Sequence, residues 1–394
     1  MLRREAALAH TVDGRGFMKR AISVVLAALT LHSSFIGTAP AGGAEKAPWQ
    51  LDWEKTVQMA KQEGQIVIYA AIGPYHPQIF TEFQKDYPEI KATLVHGNSS
   101  RISPRLLAER RAGKYLADVY LGGPTSLYSF YQNKMFDPLA PLLVLPEVTD
   151  TSLWWEGKHW YIDSERKHIF VNEGSVSGFT ITYNSQLANA NEFKSYWDML
   201  QPKWKGKIVS LDARDAGFGA SELRYVYYHP ELGGEYIRRL FGEMDVVLSR
   251  EHQQAMDWVG IGKVALCAFC RDGFATKAKA QGLPLDYVNH NDLKEMPRLR
   301  GSAGAITLVN RAPHQNAAKV FINWYLSRRG QLVYQESHGD RDSLRVDIAK
   351  DKVPDPQRRL AGRKYFFVEG PEHMDVKPAI KIIDDALGLK GRTP

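Results

Sequence analysis

The sequence predicts an α/β fold of two lobes, each a sheet flanked by helices. Three observations carry this. The chain has 394 residues, 44% hydrophobic and 24% charged, an ordinary globular composition on a length too great for one core. Apolar β-branched runs alternate with amphipathic segments, the pattern of strands covered by helices on both faces. The segment after Gly301 resumes the style of the first part, so the chain visits lobe one, lobe two and lobe one again. The implied divisions are 45–180 for the first part of lobe one, 181–292 for lobe two, and 293–394 for the rest of lobe one with a C-terminal tail.

Residues 1–44 differ in kind. Lys19-Arg20 precede the apolar run Ala21 to Leu31, and small residues follow at Ala39-Pro40-Ala41 and Gly42-Gly43-Ala44, the order of a cleavable secretory signal. The run is too short for a bilayer, which needs about 20 residues. Met18-Lys19-Arg20 would itself make a conventional start, so the initiator is Met1 or Met18. No later stretch is a candidate span, and neither cysteine lies near the cleavage region. The expectation is a soluble periplasmic protein without a lipid anchor. Removing Arg3, Arg4, Arg15, Lys19 and Arg20 with Glu5 and Asp13 lowers the net charge from +7 to +4. That is too mild, without a basic block, for nucleic acid, and is compatible with a small anionic ligand.

Trp53, Val57 and Ala60 share one helical face, and Gly64 ends that helix as a left-handed cap. Gln65 to Ala70 reads as a buried strand, followed by a break at Gly73-Pro74 and a helix burying Ile79, Phe80, Phe83 and Tyr87. Ile90 to Val95 is the second strand, and Pro104 and Gly113 bracket the next helix. Asp118 to Leu121 completes a parallel set of three. Trp154 to Tyr161 and Lys167 to Val171 read as antiparallel strands joined at Ser164-Glu165, and Gly178 to Asn184 as a strand crossing between lobes. The second series runs through strands at Ile208–Leu211, Met244–Leu248, Val264–Phe269 and Leu285–Val288. Its helices start near Ser221 and after a cap at Ser249. Ala305 to Val309 returns to lobe one, before a helix through Ala317, Val320, Phe321 and Trp324 that ends near Gly330.

The run Trp197 to Ile208, the glycines at 217 and 219, Ala265 to Phe269 after Gly262-Lys263, Gly301-Ser302, and Ala317 to Trp324 with Ser327 and Gly330-Gln331 resemble periplasmic solute-binding proteins of ABC importers. They resemble in particular the branch with ferric-iron-binding and related anion-binding members, over most of residues 50–350. The resemblance implies the type II periplasmic-binding clamp, two lobes joined by two crossing strands with solute held in the cleft. It also implies closure by hinge bending, an inner-membrane permease as partner, a monomer, no cofactor and no enzymatic activity.

In such a clamp the ligand groups come from loops at strand C-terminal ends, where helix N-termini offer unpaired N–H donors and a positive dipole end. Four loops qualify, at 72–73, 97–100, 122–125 and 212–219, and they supply the candidates Gly73, Asn98, Ser99, Thr125, Asp212 and Gly217. Residues of these types also serve simply as caps and turns. Arg101, Arg214, Arg271 and Arg341 lie in or beside such loops, and a guanidinium fork matches a carboxylate or phosphate. Asp212, Asp215, Asp272 and Asp340 are their alternative partners. Tyr183 ends the predicted crossing strand and either meets the ligand or packs the hinge.

Ferric members need hard oxygen donors, commonly adjacent tyrosines after the strand that here reads Val264 to Cys270. That stretch offers Phe269 and two cysteines instead. Tyr227-Tyr228 fall in a predicted helix, where neighbouring side chains diverge by about 100°. The expected solute is therefore a small anion. Ferric ion is one alternative, and an enzyme on the same clamp using Asp212, Asp215 or the cysteines is another. Cys267 and Cys270 read as a disulfide or a redox pair. In an unbroken strand they would face opposite sides about 10 Å apart, so a bridge requires a turn. Arg271 stands where a haem motif needs histidine, no second C-x-x-C occurs, and the 12 histidines are dispersed, so no metal site is predicted. No G-x-S-x-G, P-loop or complete G-x-G-x-x-G is present.

Overall fold

The computed structural model describes residues 46–71, 77–97, 99–214, 218–301, 304–339 and 341–388. The chain separates into two units, Met1–Glu45 and Lys46–Pro394. The predicted leader lies outside the described residues, as do Gly73, Asn98 and Gly217 and the side chains of Ser99 and Thr125.

Helix α1 (Pro48–Glu63) starts on a proline and stops at Gly64, left-handed at φ +68°. β1 (Gln65–Ala71), α2 (Gln78–Asp86), β2 (Lys91–His96), α3 (Ser99–Arg111), β3 (Val119–Gly122) and α4 (Pro124–Gln132) then alternate. Pro104 falls inside α3 because that helix already begins at Ser99. β1 lies between β2 and β3 and is parallel to both, with Ile68 opposite Leu94 and Val119.

β4 (Phe136–Asp137), the single turn α5 (Pro146–Thr149) and β5 (Phe170–Val171) follow. The predicted hairpin of 154–161 with 167–171 is reduced to a bridge between Tyr161 and Phe170, because Trp155–Gly157 coils as a 3-10 turn with Glu156 at φ +57°. β6 (Ser175–Ser177) leads to β7 (Thr180–Asn184), which lies within the second sheet. That sheet is completed through β8 (Ile208–Leu211), α6 (Phe218–Tyr228), α7 (Gly233–Glu243), β9 (Val247–Ser249), α8 (His252–Gly260), β10 (Leu266–Cys270), α9 (Asp272–Ala280) and β11 (Leu285–Tyr287). Its order is β11-β7-β10-β8-β9, with β8, β9 and β10 parallel and β7 antiparallel to both neighbours.

β12 (Arg298–Arg300) pairs antiparallel with β6, apart from both larger sheets. β13 (Ala305–Val309) re-enters the first sheet antiparallel to β3, giving the order β2-β1-β3-β13-β4 with β5 also on β13. Both sheets are thus mixed, in an α/β two-lobed periplasmic-binding fold. α10 (Gln315–Leu326) buries Ala317, Val320 and Phe321 and packs on α1. It ends at Ser327, whose hydroxyl accepts the Gly330 N–H at 3.1 Å and caps α11 (Arg328–His338). Among the described residues no helix is long and apolar enough to cross a membrane.

The C-terminal stretch, grouped by sequence with lobe one, passes from one core to the other. Leu344 belongs to the first core and Val368 to the second. Between them the Phe366 N–H donates to Pro297 O at 2.9 Å, so this strap runs beside β12. α12 (Lys377–Ala386) then buries Ala379 and Ile383 against the second lobe and packs on α7. Its apolar side needs a partner, and α7 supplies one.

Gly174 precedes β6 where a Cβ would collide with Arg359 and Leu344. Gly174→Ala is expected to lower stability by about 1–3 kcal/mol, the range for overpacking. Thermal unfolding followed by circular dichroism checks this, and an unchanged Tm would contradict the packing at the crossing.

Candidate ligand site at the hinge

Register locates the site. Cys270, the last residue of β10, pairs with Thr180 immediately after β6. Gly122, the last residue of β3, pairs with Ala305, which follows β12 and its loop. The C-terminal ends of the parallel strands in both sheets therefore face the crossing strands. By the same register Tyr183 lies opposite Leu266, at the end of its sheet remote from the crossing. It is 6% exposed, with its ring 6.3 Å from that of Phe193, so the structure places it in the second core rather than at the hinge.

Each strand end is shaped by close packing. Gly97 ends β2, and a Cβ there would touch the Arg101 side chain at 3.4 Å, so the exposed Arg101 lies back over the strand end. A side chain at Gly122 would collide with the Tyr120 ring, whose hydroxyl donates to Ser126 Oγ at 3.2 Å near the start of α4. After β8, Arg214 grips Asp212 with Nε at 2.7 Å and a terminal nitrogen at 2.6 Å. Its other terminal nitrogen reaches Asp384 of α12 at 2.7 Å. Arg214 holds the Asp212 carboxyl below the usual range, and the pair ties the loop to the C-terminal helix. Gly219 permits α6 to pack on that loop, because a Cβ would stand 2.9 Å from Asp212 O and 3.1 Å from Ala213 Cα.

Arg271 follows β10 at the N-cap of α9 and is exposed. The strand end before it is closed by the Cys267–Cys270 disulfide, with Cα atoms 5.9 Å apart. The ladder to β7 shifts between the two cysteines, and Phe269 adopts φ +55°. That left-handed residue is the turn the spacing requires.

The residues that sequence reasoning missed are the buried charges of the hinge. Glu173, 0% exposed, accepts from Tyr334 Oη at 2.8 Å, Ser175 Oγ at 3.0 Å and Arg341 at 3.1 Å, with Arg300 Nε at 3.7 Å. Burial pushes this carboxyl up, but Arg341 and Arg300 more than offset it and hold it low. Arg298, 3% exposed, donates to Ser177 Oγ at 3.1 Å, Ser221 O at 3.1 Å and Glu222 at 2.8 Å. Burial pushes the Glu222 carboxyl up, against the pull of Arg298 and Arg300, while Asp272 at the start of α9 adds to the push. Arg341 of the first lobe, Arg300 of the crossing strand and the start of α9 in the second lobe thus share one electrostatic neighbourhood. The only local signal in the sequence was Arg298-Leu299-Arg300, an alternation with charges on what proves to be a buried face.

Among the described residues, the end of β10 provides no chelating pair of phenolates. Phe269 is buried, Cys267 and Cys270 are joined, and Tyr228 Oη donates to Asp375 O at 2.8 Å at the far end of α6. Among the described residues no three His, Cys, Asp or Glu side chains converge to hold a metal ion.

Residues 78–341 match the family model described as bacterial extracellular solute-binding protein. The chain belongs to this family. As a member of it the chain is the solute-binding component of an ABC transporter, a transport protein rather than an enzyme. The Fe(3+)-binding periplasmic protein of Serratia marcescens is 24% identical over 322 residues, 78% of this chain and 87% of that protein. Two solved structures share the fold. Trichodesmium IdiA (FutA), in complex with iron and citrate, has a TM-score of 0.59 at 16% identity, covering 82% of this chain and 99% of that one. AfuA of Actinobacillus pleuropneumoniae, with fructose-6-phosphate bound, has a TM-score of 0.57 at 15% identity, covering 83% and 99%.

Two predictions follow from the site's geometry. Denatured, unreduced protein is expected to show no thiol reactive to Ellman's reagent and, after reduction, both; replacing both cysteines by alanine should cost about 2 kcal/mol, the loop-closure value for so small a ring. His290 is 2% exposed with Nδ1 3.4 Å from Tyr196 Oη, and burial pushes it down to about 4, with Asp272 opposing and Arg298 and Arg300 reinforcing. The folded value lies below the ordinary ~6.5, so the unfolded chain binds the proton more readily between. Stability should therefore fall as pH drops from about 6.5 towards 4, by up to ~1.4 kcal/mol per pH unit for this group. His290→Gln should flatten that part of a Tm-against-pH curve, and an identical slope in the variant would refute the assignment.

Proposed function

We propose that this protein is a periplasmic receptor that captures a small anionic solute, carrying a carboxylate or phosphate group, and delivers it to an inner-membrane permease. The observation that carries this reading is the end of β10. Where a ferric site would draw its phenolates, the chain has a disulfide-closed turn, then Arg271 at the cap of α9, a helix whose N-terminal N–H groups favour negative charge. Arg300 and Arg341 meet on Glu173, beside the crossing strands.

A solute bridging these groups would touch the first lobe through Arg341, the crossing strand through Arg300 and the second lobe through Arg271. Only the closed clamp can offer all three at once, so the solute would favour closure by its differential affinity for that state. The chain makes and breaks no bond in this function. Ferric ion remains the second reading, favoured by the name of the Serratia marcescens relative and by the iron and citrate in the Trichodesmium structure. A ferric chelate carried by an anionic organic ligand would fit the arginines, whereas bare ferric ion would not.

The test is thermal unfolding of the mature chain against carboxylates, phosphate esters, ferric citrate and bare ferric ion. A ligand at 100 times its Kd should stabilise by about 2.7 kcal/mol. Arg271→Ala should weaken the best ligand by about 1.5–3 kcal/mol, the loss of a hydrogen bond to a charged group. Stabilisation by bare ferric ion, accompanied by a phenolate-to-iron absorption band, would overturn the anion reading in favour of the metal.

A further inference from the structure

The end of the first sheet remote from the hinge carries a second concentration of positive charge. β13 runs from Ala305 near the crossing to Val309, and Asn310 and Arg311 follow at the far end. α3 runs the same way and ends in Arg110 and Arg111. Together with Lys134, just before β4, and Tyr115, these cations line a cavity of about 370 Å³, and no acidic residue is among the described residues that line it.

The cations are built into place. The Arg110 guanidinium lies 4.5 Å and that of Arg311 5.0 Å from the centre of the Tyr115 ring, so two like charges are stacked on one aromatic side chain. Arg110 also donates to Asn310 O at 2.7 Å, and Arg311 to Tyr115 Oη at 2.6 Å. Asn310 Nδ2 donates to Lys134 O at 2.6 Å and so fixes the third cation against the other two. Both Lys134, φ +54°, and Arg311, φ +56°, hold left-handed backbone, which is uncommon for long side chains. The helix dipole accounts for basic residues in the last turn of α3. It does not account for Lys134 and Arg311, which come from other elements. Burial and the neighbouring Arg311 both push Arg110 towards its neutral form, so the crowding has a cost, with Asp137 and Tyr115 acting the other way.

We propose that this basin is a second anion site, separate from the hinge, which takes a phosphate group. Cations approaching from three directions suit the oxygens of a tetrahedral dianion better than the single plane of a carboxylate. The group can belong to a soluble phosphate or to a lipid headgroup. Leu116, 45% exposed beside Tyr115, would meet the apolar part of the latter.

The experiment is isothermal titration of inorganic phosphate into the mature chain at constant ionic strength, beside Arg311→Glu, Arg111→Ala and Arg271→Ala. Arg311→Glu is expected to weaken phosphate at this site at least tenfold and Arg111→Ala severalfold, in the Arg271→Ala background as in the native chain, so that phosphate taken up at the hinge does not carry the result. Arg111 is exposed and outside the stack on Tyr115, so its variant reads binding even if Arg311→Glu perturbs the fold. Sedimentation with phosphatidylglycerol or phosphatidylcholine vesicles separates the sources. Capture by phosphatidylglycerol alone, lost in Arg311→Glu, assigns the headgroup, whereas titration without vesicle capture assigns a soluble phosphate. Absence of both, or affinities that neither Arg311→Glu nor Arg111→Ala alters, overturns the site, and failure of the hinge reading would leave this result untouched.

Discussion

A carboxylate without solvent contact is tolerable only while its compensation stays in place, and Glu173 stands in that position between the lobes. Its partners come from different parts of the fold: Tyr334 from α11, Ser175 from β6, Arg341 from the segment after α11 and Arg300 from β12. Arg298 plays the complementary role towards the second lobe, joining β12 to β6 through Ser177 and to α6 through Ser221 and Glu222. The crossing strands span only Ser175–Ser177 and Arg298–Arg300, too short a ladder to be stable alone. Buried ion pairs contribute little net stability, but breaking one is expensive, so they define where the two strands sit more than how tightly.

Much of the scaffold was legible. β1, β8, β10 and β13 are largely apolar runs with a glycine or a charge within two residues of their ends, and each formed a strand within a residue or two of its predicted place. The chain's return through Ala305 to Val309 was legible for the same reason. The crossing itself was not. Gly178 to Asn184 has the alternation of a half-buried strand, whereas Ser175-Val176-Ser177 is too short to show a period. Glu173, Glu222, Arg298 and Arg300 carry no local mark of burial, because charge in a sequence implies solvent unless a partner is known. Their partners lie up to 168 positions away. α12 was placed with the first lobe by position in the chain, although its apolar side would suit either lobe equally.

The C-x-x-C shows how far geometry alone can go. Extended backbone keeps such cysteines about 10 Å apart, so the sequence allowed a bridge only with a turn between them. The structure supplies it at Phe269, a bulky residue at φ +55° that would resist left-handed backbone in isolation. Its ring is buried against Phe179 at 4.9 Å, so packing offsets the strain while the bridge holds the strand end. The same turn sets the direction from which Arg271 and α9 leave the sheet. The glycine-rich stretch after β8 has a similarly plain local cause at Gly219, a close approach of two backbones, while Asp212 and Arg214 serve each other and α12.

Likeness to ferric-binding relatives therefore informs the frame more than the cargo. What recurs between this chain and them is the order of strands and helices, which burial of apolar faces specifies and which many sequences satisfy. Cargo is chosen by a few groups at strand ends, and those groups follow chemistry of their own. Ferric ion demands several hard anionic oxygens converging on one point, and the buried Phe269 and the Cys267–Cys270 disulfide at the end of β10 supply none of them. Arginine at a helix cap makes the opposite demand, for negative charge brought by the ligand itself. A solute that brings its own oxygens, whether an organic phosphate, a carboxylate or a metal already wrapped in one, meets that demand without any change to the clamp.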